Sequence, residues 1–228
     1  MRGGRLLRPS LATAFLAGGA WAQDGSTRGQ ASGIPDPIIL EAIEACRTLL
    51  PRTDQWFGVL MAEGWVEPDR TEARALAREI TWTSQAMAGI RDWFPGEADA
   101  IEQQSLDRLL TDKNRVILTH PGLPGIGLAM SLGPSWDGNG LSGFCDLSGA
   151  PNSALQAFAE DALGTQALRE LHNDRFGSTY AIADGSDRQP IRFVLLDPQA
   201  LSDSLGVTVT HPVGVNTLAT TDESGERA

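Results

Sequence analysis

Apolar residues recur every three or four positions through the first half of the chain, and at Asn114 the pattern changes to short runs of two-residue alternation. The helical spacing falls into about four segments. Asp36-Pro37 marks a helix start, an acid able to cap and a proline at the first helical position. Ile39, Ala42, Ile43, Cys46, Leu49 and Leu50 then share one face, and Pro51 stops the helix. A second helix from Thr53 carries Trp56, Phe57, Leu60 and Met61 on one side. Gly64 is its left-handed terminal residue, with Trp65 folded back on the last turn. A third follows Pro68-Asp69, where Asp69 and Glu72 resemble a capping box. Its stripe is Ala73, Leu76, Ala77, Ile80, Met87 and Ile90, and it ends at Trp93-Phe94-Pro95, although Ile80 to Thr83 lean toward strand. A fourth spans Glu97 to Asp112 with Ile101, Leu106, Leu109 and Leu110.

The second half predicts hairpins. Strands are expected at Arg115–Thr119, Gly127–Leu132 and Leu141–Leu147, the last pair joined across Asp137-Gly138-Asn139-Gly140. Asn152 or Ser153 caps a helix with Leu155, Phe158, Ala159, Ala162 and Leu163. Thr179–Ala183 and Ile191–Leu196 form a second hairpin. Asp197-Pro198 opens a short helix that ends at Gly206, and strands follow at Val207–Thr210 and Val213–Leu218. Hairpin-joined strands imply an antiparallel sheet, so the fold class is α+β, with helices packed on one face.

The start of the chain changes the compartment. Arg2, Arg5 and Arg8 precede a short apolar stretch from Ser10 to Gly19, and Ala20-Trp21-Ala22 has the small-x-small form of a processing site. The stretch is shorter than the roughly 20 residues that span a bilayer. Residues 1–22 are therefore expected to be a cleaved signal peptide, 23–34 a flexible lead-in, 35–218 one α+β domain (35–113 helical, 114–218 hairpins and helices) and 219–228 a disordered tail. No transmembrane segment is expected in the mature chain, which is predicted to be a soluble periplasmic or secreted protein of Gram-negative type.

The chain has 18 basic and 29 acidic residues, a net charge of -11. Loss of residues 1–22 removes three arginines and moves this to -14. Such a charge disfavours nucleic acid and anionic lipid, which need cationic contacts to phosphate. Two cysteines in an exported protein pair most simply with one another. Cys46 lies on the apolar face of the first helix, and Cys145 on the inward side of a strand with Leu141, Gly143 and Leu147. A Cys46–Cys145 disulfide would tie the helical part to the sheet.

Little in the chain announces chemistry. Gly138 to Gly143 spells G-x-G-x-x-G but has a turn before it and a strand after it, the reverse of a dinucleotide site. No cofactor motif is present. Asp137, Asn139, Asp184 and Asp187 read as turn residues, without the length of a calcium loop. Two leads remain. Val116-Ile117-Leu118-Thr119-His120-Pro121 and Val207-Thr208-Val209-Thr210-His211-Pro212 echo each other. If their strands adjoin, His120 and His211 could share a ligand or a metal, with a third ligand from an acid or from His172, which otherwise reads as a helix-end residue. Trp136, beside a glycine-rich turn, is a possible contact for a ligand or partner. The expected role is a non-enzymatic periplasmic protein that binds another protein or a small molecule. The alternative is a periplasmic hydrolase or metal-binding enzyme built on His120 and His211.

Overall fold

The computed structural model describes residues 36–48, 53–87, 96–135, 140–165, 168–182 and 191–220. The expected signal peptide, the lead-in and Trp136 lie outside these residues. Four helices come first: α1 (Pro37–Arg47), α2 (Thr53–Ala62), α3 (Arg70–Met87) and α4 (Ala98–Thr111). Then follow β1 (Arg115–Thr119), β2 (Ile126–Pro134), β3 (Leu141–Gly149), α5 (Ala154–Thr165), β4 (Leu168–Asp174), β5 (Gly177–Ile182), β6 (Ile191–Leu196), α6 (Pro198–Leu205) and β7 (Val213–Thr220). The seven strands make one antiparallel sheet in the order β1-β2-β3-β7-β6-β5-β4.

The helix ends use the predicted chemistry. Asp36 Oδ1 accepts from the Ile38 amide at 2.9 Å, and Asp69 Oδ1 accepts from Thr71 and Glu72 at 2.8 and 2.9 Å. Asp197 caps α6 in the same way, and Gly206 closes it in the left-handed conformation. At the end of α2, Gly64 has φ +95°, its amide donates to Met61 O at 3.2 Å, and the Trp65 amide donates to Leu60 O at 3.1 Å. These two bonds are a Schellman closure, which buries Trp65 and places Val66 beside β1.

The helices cover both faces of the sheet, not one. Strand residues alternate sides. Leu118, Leu128, Met130, Cys145, Leu147, Phe193, Val213 and Val215 share a core with α1, α2 and α5. Their neighbours Ile117 and Ala129 pack with Leu76, Ala77 and Ile80 of α3 and Leu106 of α4. Val194 and Leu196 pack with Trp82, Met87 and Leu201, which brings α6 to the α3 side. That second face carries small or polar residues on its central strands, such as Asp146, Ser148 and Asn216. Small residues there let α3 lie close: a Cβ on Gly214 would stand 2.7 Å from Thr83 Cβ. The Ile80–Thr83 stretch, β-leaning by composition, is helical and is the buried middle of α3. Thr81 and Thr83 return their hydroxyls to the carbonyls of Ala77 and Ile80 at 2.8 and 3.1 Å.

Other boundaries shift. Met61 is 39% exposed rather than on the buried face of α2. Val207–Thr210 joins no strand among the described residues, and β7 runs through Thr220, two residues into the expected tail. His172 sits on β4, not at a helix end, next to a register shift between Glu170 and His172. Cys46 and Cys145 are bonded, with Cα atoms 5.9 Å apart, and both are fully buried. The bond pins α1 to β3, the neighbour of the central strand β7.

Candidate functional site

The antiparallel order brings the two Thr-His-Pro segments to one end of the sheet. The register pairs Thr119 with Gly127, Ile126 with Gly149, and Gly149 with Val213. The end of β1, the start of β2, the end of β3 and the start of β7 therefore lie side by side. β1 and β7 are not neighbours, since β2 and β3 separate them. His120 and His211 nevertheless line one cleft of about 380 Å³, together with Glu72, Leu76, Leu123 and Ile126.

His120 is built into the fold. The Gly122 amide donates to its Nδ1 at 3.0 Å, so that nitrogen is an acceptor and the ring proton sits on Nε2. Nε2 faces the Glu63 carbonyl at 3.3 Å. The ring also stands edge-on to Trp65, with centroids 5.5 Å apart. His120 thus clamps the turn after β1 to the end of α2. A Cβ on Gly64 would lie 3.0 Å from His120 Nε2, in a backbone conformation that L side chains resist. Gly64→Ala is expected to cost about 1–2 kcal/mol from the left-handed geometry alone. Urea unfolding of the variant measures it, and a change under about half that cost would show that the clamp yields freely.

His211 is held differently. Its Nδ1 lies 3.2 Å from Ser148 Oγ, and Ser148 is fully buried beneath it. Its amide and that of Thr210 donate to Glu79 Oε2 at 3.0 and 2.9 Å, and the Thr210 hydroxyl donates to Oε1 at 2.8 Å. Glu79, itself buried in α3, anchors the segment that carries the histidine. Burial lowers the His211 pKa below its ordinary 6.5, against an opposing pull from Glu79 and then the Ser148 contact. The folded protein therefore keeps this ring neutral where the unfolded chain takes up a proton. Stability from this group is present above about pH 6.5 and is lost as pH falls from there toward the folded-state pKa. Carbon-13 NMR of the His211 ring should show it titrating below 6.5, and a midpoint at or above that value would reverse the sign.

Asp146 is the other displaced group. Burial raises its pKa above 3.8, against the hydrogen bond that Asn216 Nδ2 donates at 2.8 Å. It sits mid-strand under α3 and does not line this cleft. Its effect runs opposite to that of His211: it adds stability as pH falls from its raised value toward 3.8.

Among the described residues, no group of three or more His, Cys, Asp or Glu is placed to hold a metal. Ser148 is too deeply buried to meet a substrate. What the cleft offers chemically is an apolar wall, the carboxylate of Glu72 and the one remaining nitrogen of His211.

A second cleft, of about 600 Å³, runs along the outer edge of β1, where sequence reasoning placed nothing. Arg70 and Arg74 of α3 line it with Lys113 and Arg115, against the acids Glu67 and Asp107. Its apolar lining includes Met61 and Leu110, two of the large hydrophobic side chains that are over one-third exposed. The sequence held a signal for this cleft: Arg70 and Arg74 share a helix face four residues apart, and Lys113 is the chain's single lysine.

No family model, no curated protein and no solved structure matches the chain.

Proposed function

We propose that this chain is an exported protein that binds a partner and does not convert a substrate. The use made of His120 carries this proposal. Of the two imidazoles that would serve a metal or a hydrolytic centre, one has both ring nitrogens occupied by main-chain groups of Gly122 and Glu63. Binding zinc there would break one of those contacts and loosen the turn after β1. The other, His211, meets a hydroxyl only at Ser148 among the hydrogen bonds of the described residues, and that hydroxyl is buried. Export is supported by the arginine-led start of the chain and by the Cys46–Cys145 bond, which suits an oxidising space.

Calorimetric zinc titration and in-cell cross-linking test the proposal together. The expected results are no one-equivalent zinc binding and a discrete cross-linked species in the envelope fraction. Stoichiometric zinc binding that is abolished by both His120→Ala and His211→Ala would overturn it in favour of the metal-binding enzyme.

A further inference from the structure

The open edge of β1 points to the kind of partner, an inference that rests on the binding role proposed above. We propose that the cleft beside β1 takes an extended, acidic polypeptide segment of a partner protein, which adds to the sheet as an eighth strand.

The main chain of β1 leaves one residue open for this. Alternate residues of an edge strand turn their N–H and C=O away from the sheet. Asn114 O accepts from Leu132 at 2.9 Å, which fixes Asn114, Val116 and Leu118 as the inward set. Arg115, Ile117 and Thr119 are therefore the outward set. Thr119 is already paired, exchanging two bonds of 2.8 Å with Val66. Arg115 has its amide taken by Asp112 O at 3.0 Å. Ile117 lies between them, and its N–H and C=O have no partner among the described residues. Val66 is thus a single residue of added strand, and Pro68, which has no N–H to give, ends it two residues later. An incoming strand would continue along the edge that Val66 begins.

The surroundings specify charge. Four cations and two acids line the cleft, and with Arg115 paired to Asp112 at 3.5 Å a local excess of one positive charge remains, on a chain whose net charge is -11. Arg70, Arg74 and Lys113 are exposed and enter no ion pair among the described residues. Met61 and Leu110 give apolar side chains a place to rest. A strand with acids on one side and apolar groups on the other suits this lining, because successive side chains point to opposite faces. A second copy does not suit it, since a two-fold pairing of β1 with itself would set the same cations against each other.

Fluorescence anisotropy of the disulfide-bonded protein with a labelled hexapeptide, Glu-Val-Asp-Thr-Glu-Val, tests the proposal. Arg74→Glu with Lys113→Glu, both at exposed positions, is expected to weaken binding about ten-fold or more. N-methylation of alternate peptide amides on one edge should abolish binding, while methylation of the other edge should leave it. The proposal is overturned if a lysine-for-acid peptide binds as well, or if methylation of neither edge matters. It is also overturned if deleting residues 221–228 raises affinity, because the chain's own acidic tail would then be the occupant, or if the charge variant dissolves a dimer. The cross-linking assay separates the two proposals. A cross-linked partner that survives Arg74→Glu/Lys113→Glu preserves the binding role and removes β1 as its location, whereas absence of any cross-link removes the binding role itself.

Discussion

Replacing Cys46 and Cys145 together by alanine is expected to lower the free energy of unfolding by about 4–5 kcal/mol, the chain-entropy value for a loop of this length. The half-cystines are 99 residues apart, so the bond restrains much of the denatured chain. For a domain of this size the loss corresponds to a fall of roughly 8–20 °C in Tm. Each single alanine variant should lose nearly as much as the double, because either one removes the whole cross-link. The urea m-value should rise, since the uncrosslinked denatured chain exposes more surface. Both sulfurs are fully buried between α1 and β3, so reductant should act on the native protein only as fast as it opens. Equal urea midpoints for oxidised and reduced protein would show that the cross-link contributes nothing beyond the packing around it.

The cysteine pairing was legible because its two signals are local: Cys46 falls on a helix stripe and Cys145 on an alternating strand. The caps at Asp36, Asp69 and Asp197 and the closure at Gly64 were legible for the same reason, since a cap is a bond between near neighbours. What sequence reasoning missed depends on partners far along the chain. The central strands place small and polar groups on one side, such as Gly127, Ala129, Asp146, Ser148 and Gly214. That composition reads as a solvent face, yet it is the surface on which α3 lies closest. Small side chains admit a helix there, and Thr81, Thr83 and Glu79 satisfy their own polar groups within it. Leu168 to His172 is rich in helix formers, but pairing with β5 overrides propensity. Val207 to Thr210 alternates like a strand, with Val207 and Val209 buried, but its partners are the hydrophobic cluster beside α3 and the Glu79 carboxylate rather than another strand. The echo of the two Thr-His-Pro segments did locate one end of the sheet, although each histidine proves to hold a turn or a buried hydroxyl.

Glu79→Ala should be nearly as costly as loss of the disulfide, about 3–5 kcal/mol, for a different reason. The wild-type carboxylate is buried, yet its oxygens take three donors: the Thr210 amide, the Thr210 hydroxyl and the His211 amide. Desolvating the charge opposes folding, and those bonds offset it. Alanine leaves all three donors behind without an acceptor, 131 or more residues away in the chain and still under α3. Glu79→Gln should fall between the wild type and alanine, because the amide keeps one acceptor oxygen but turns an NH2 toward two backbone N–H groups or toward the Thr210 hydroxyl, the only one of the three that can accept. Hydrogen exchange distinguishes anchoring from general destabilisation: the amides of Thr210 and His211 should accelerate more than those of β2 or β3 in both variants. His211 gives an independent check. Glu79 pulls its pKa upward against burial, so in the glutamine variant the ring should titrate at a still lower pH than in the wild type. Unchanged exchange at Thr210 and His211, with an unmoved His211 titration, would mean that the 207–212 segment is held by its valines alone and that Glu79 is incidental to it.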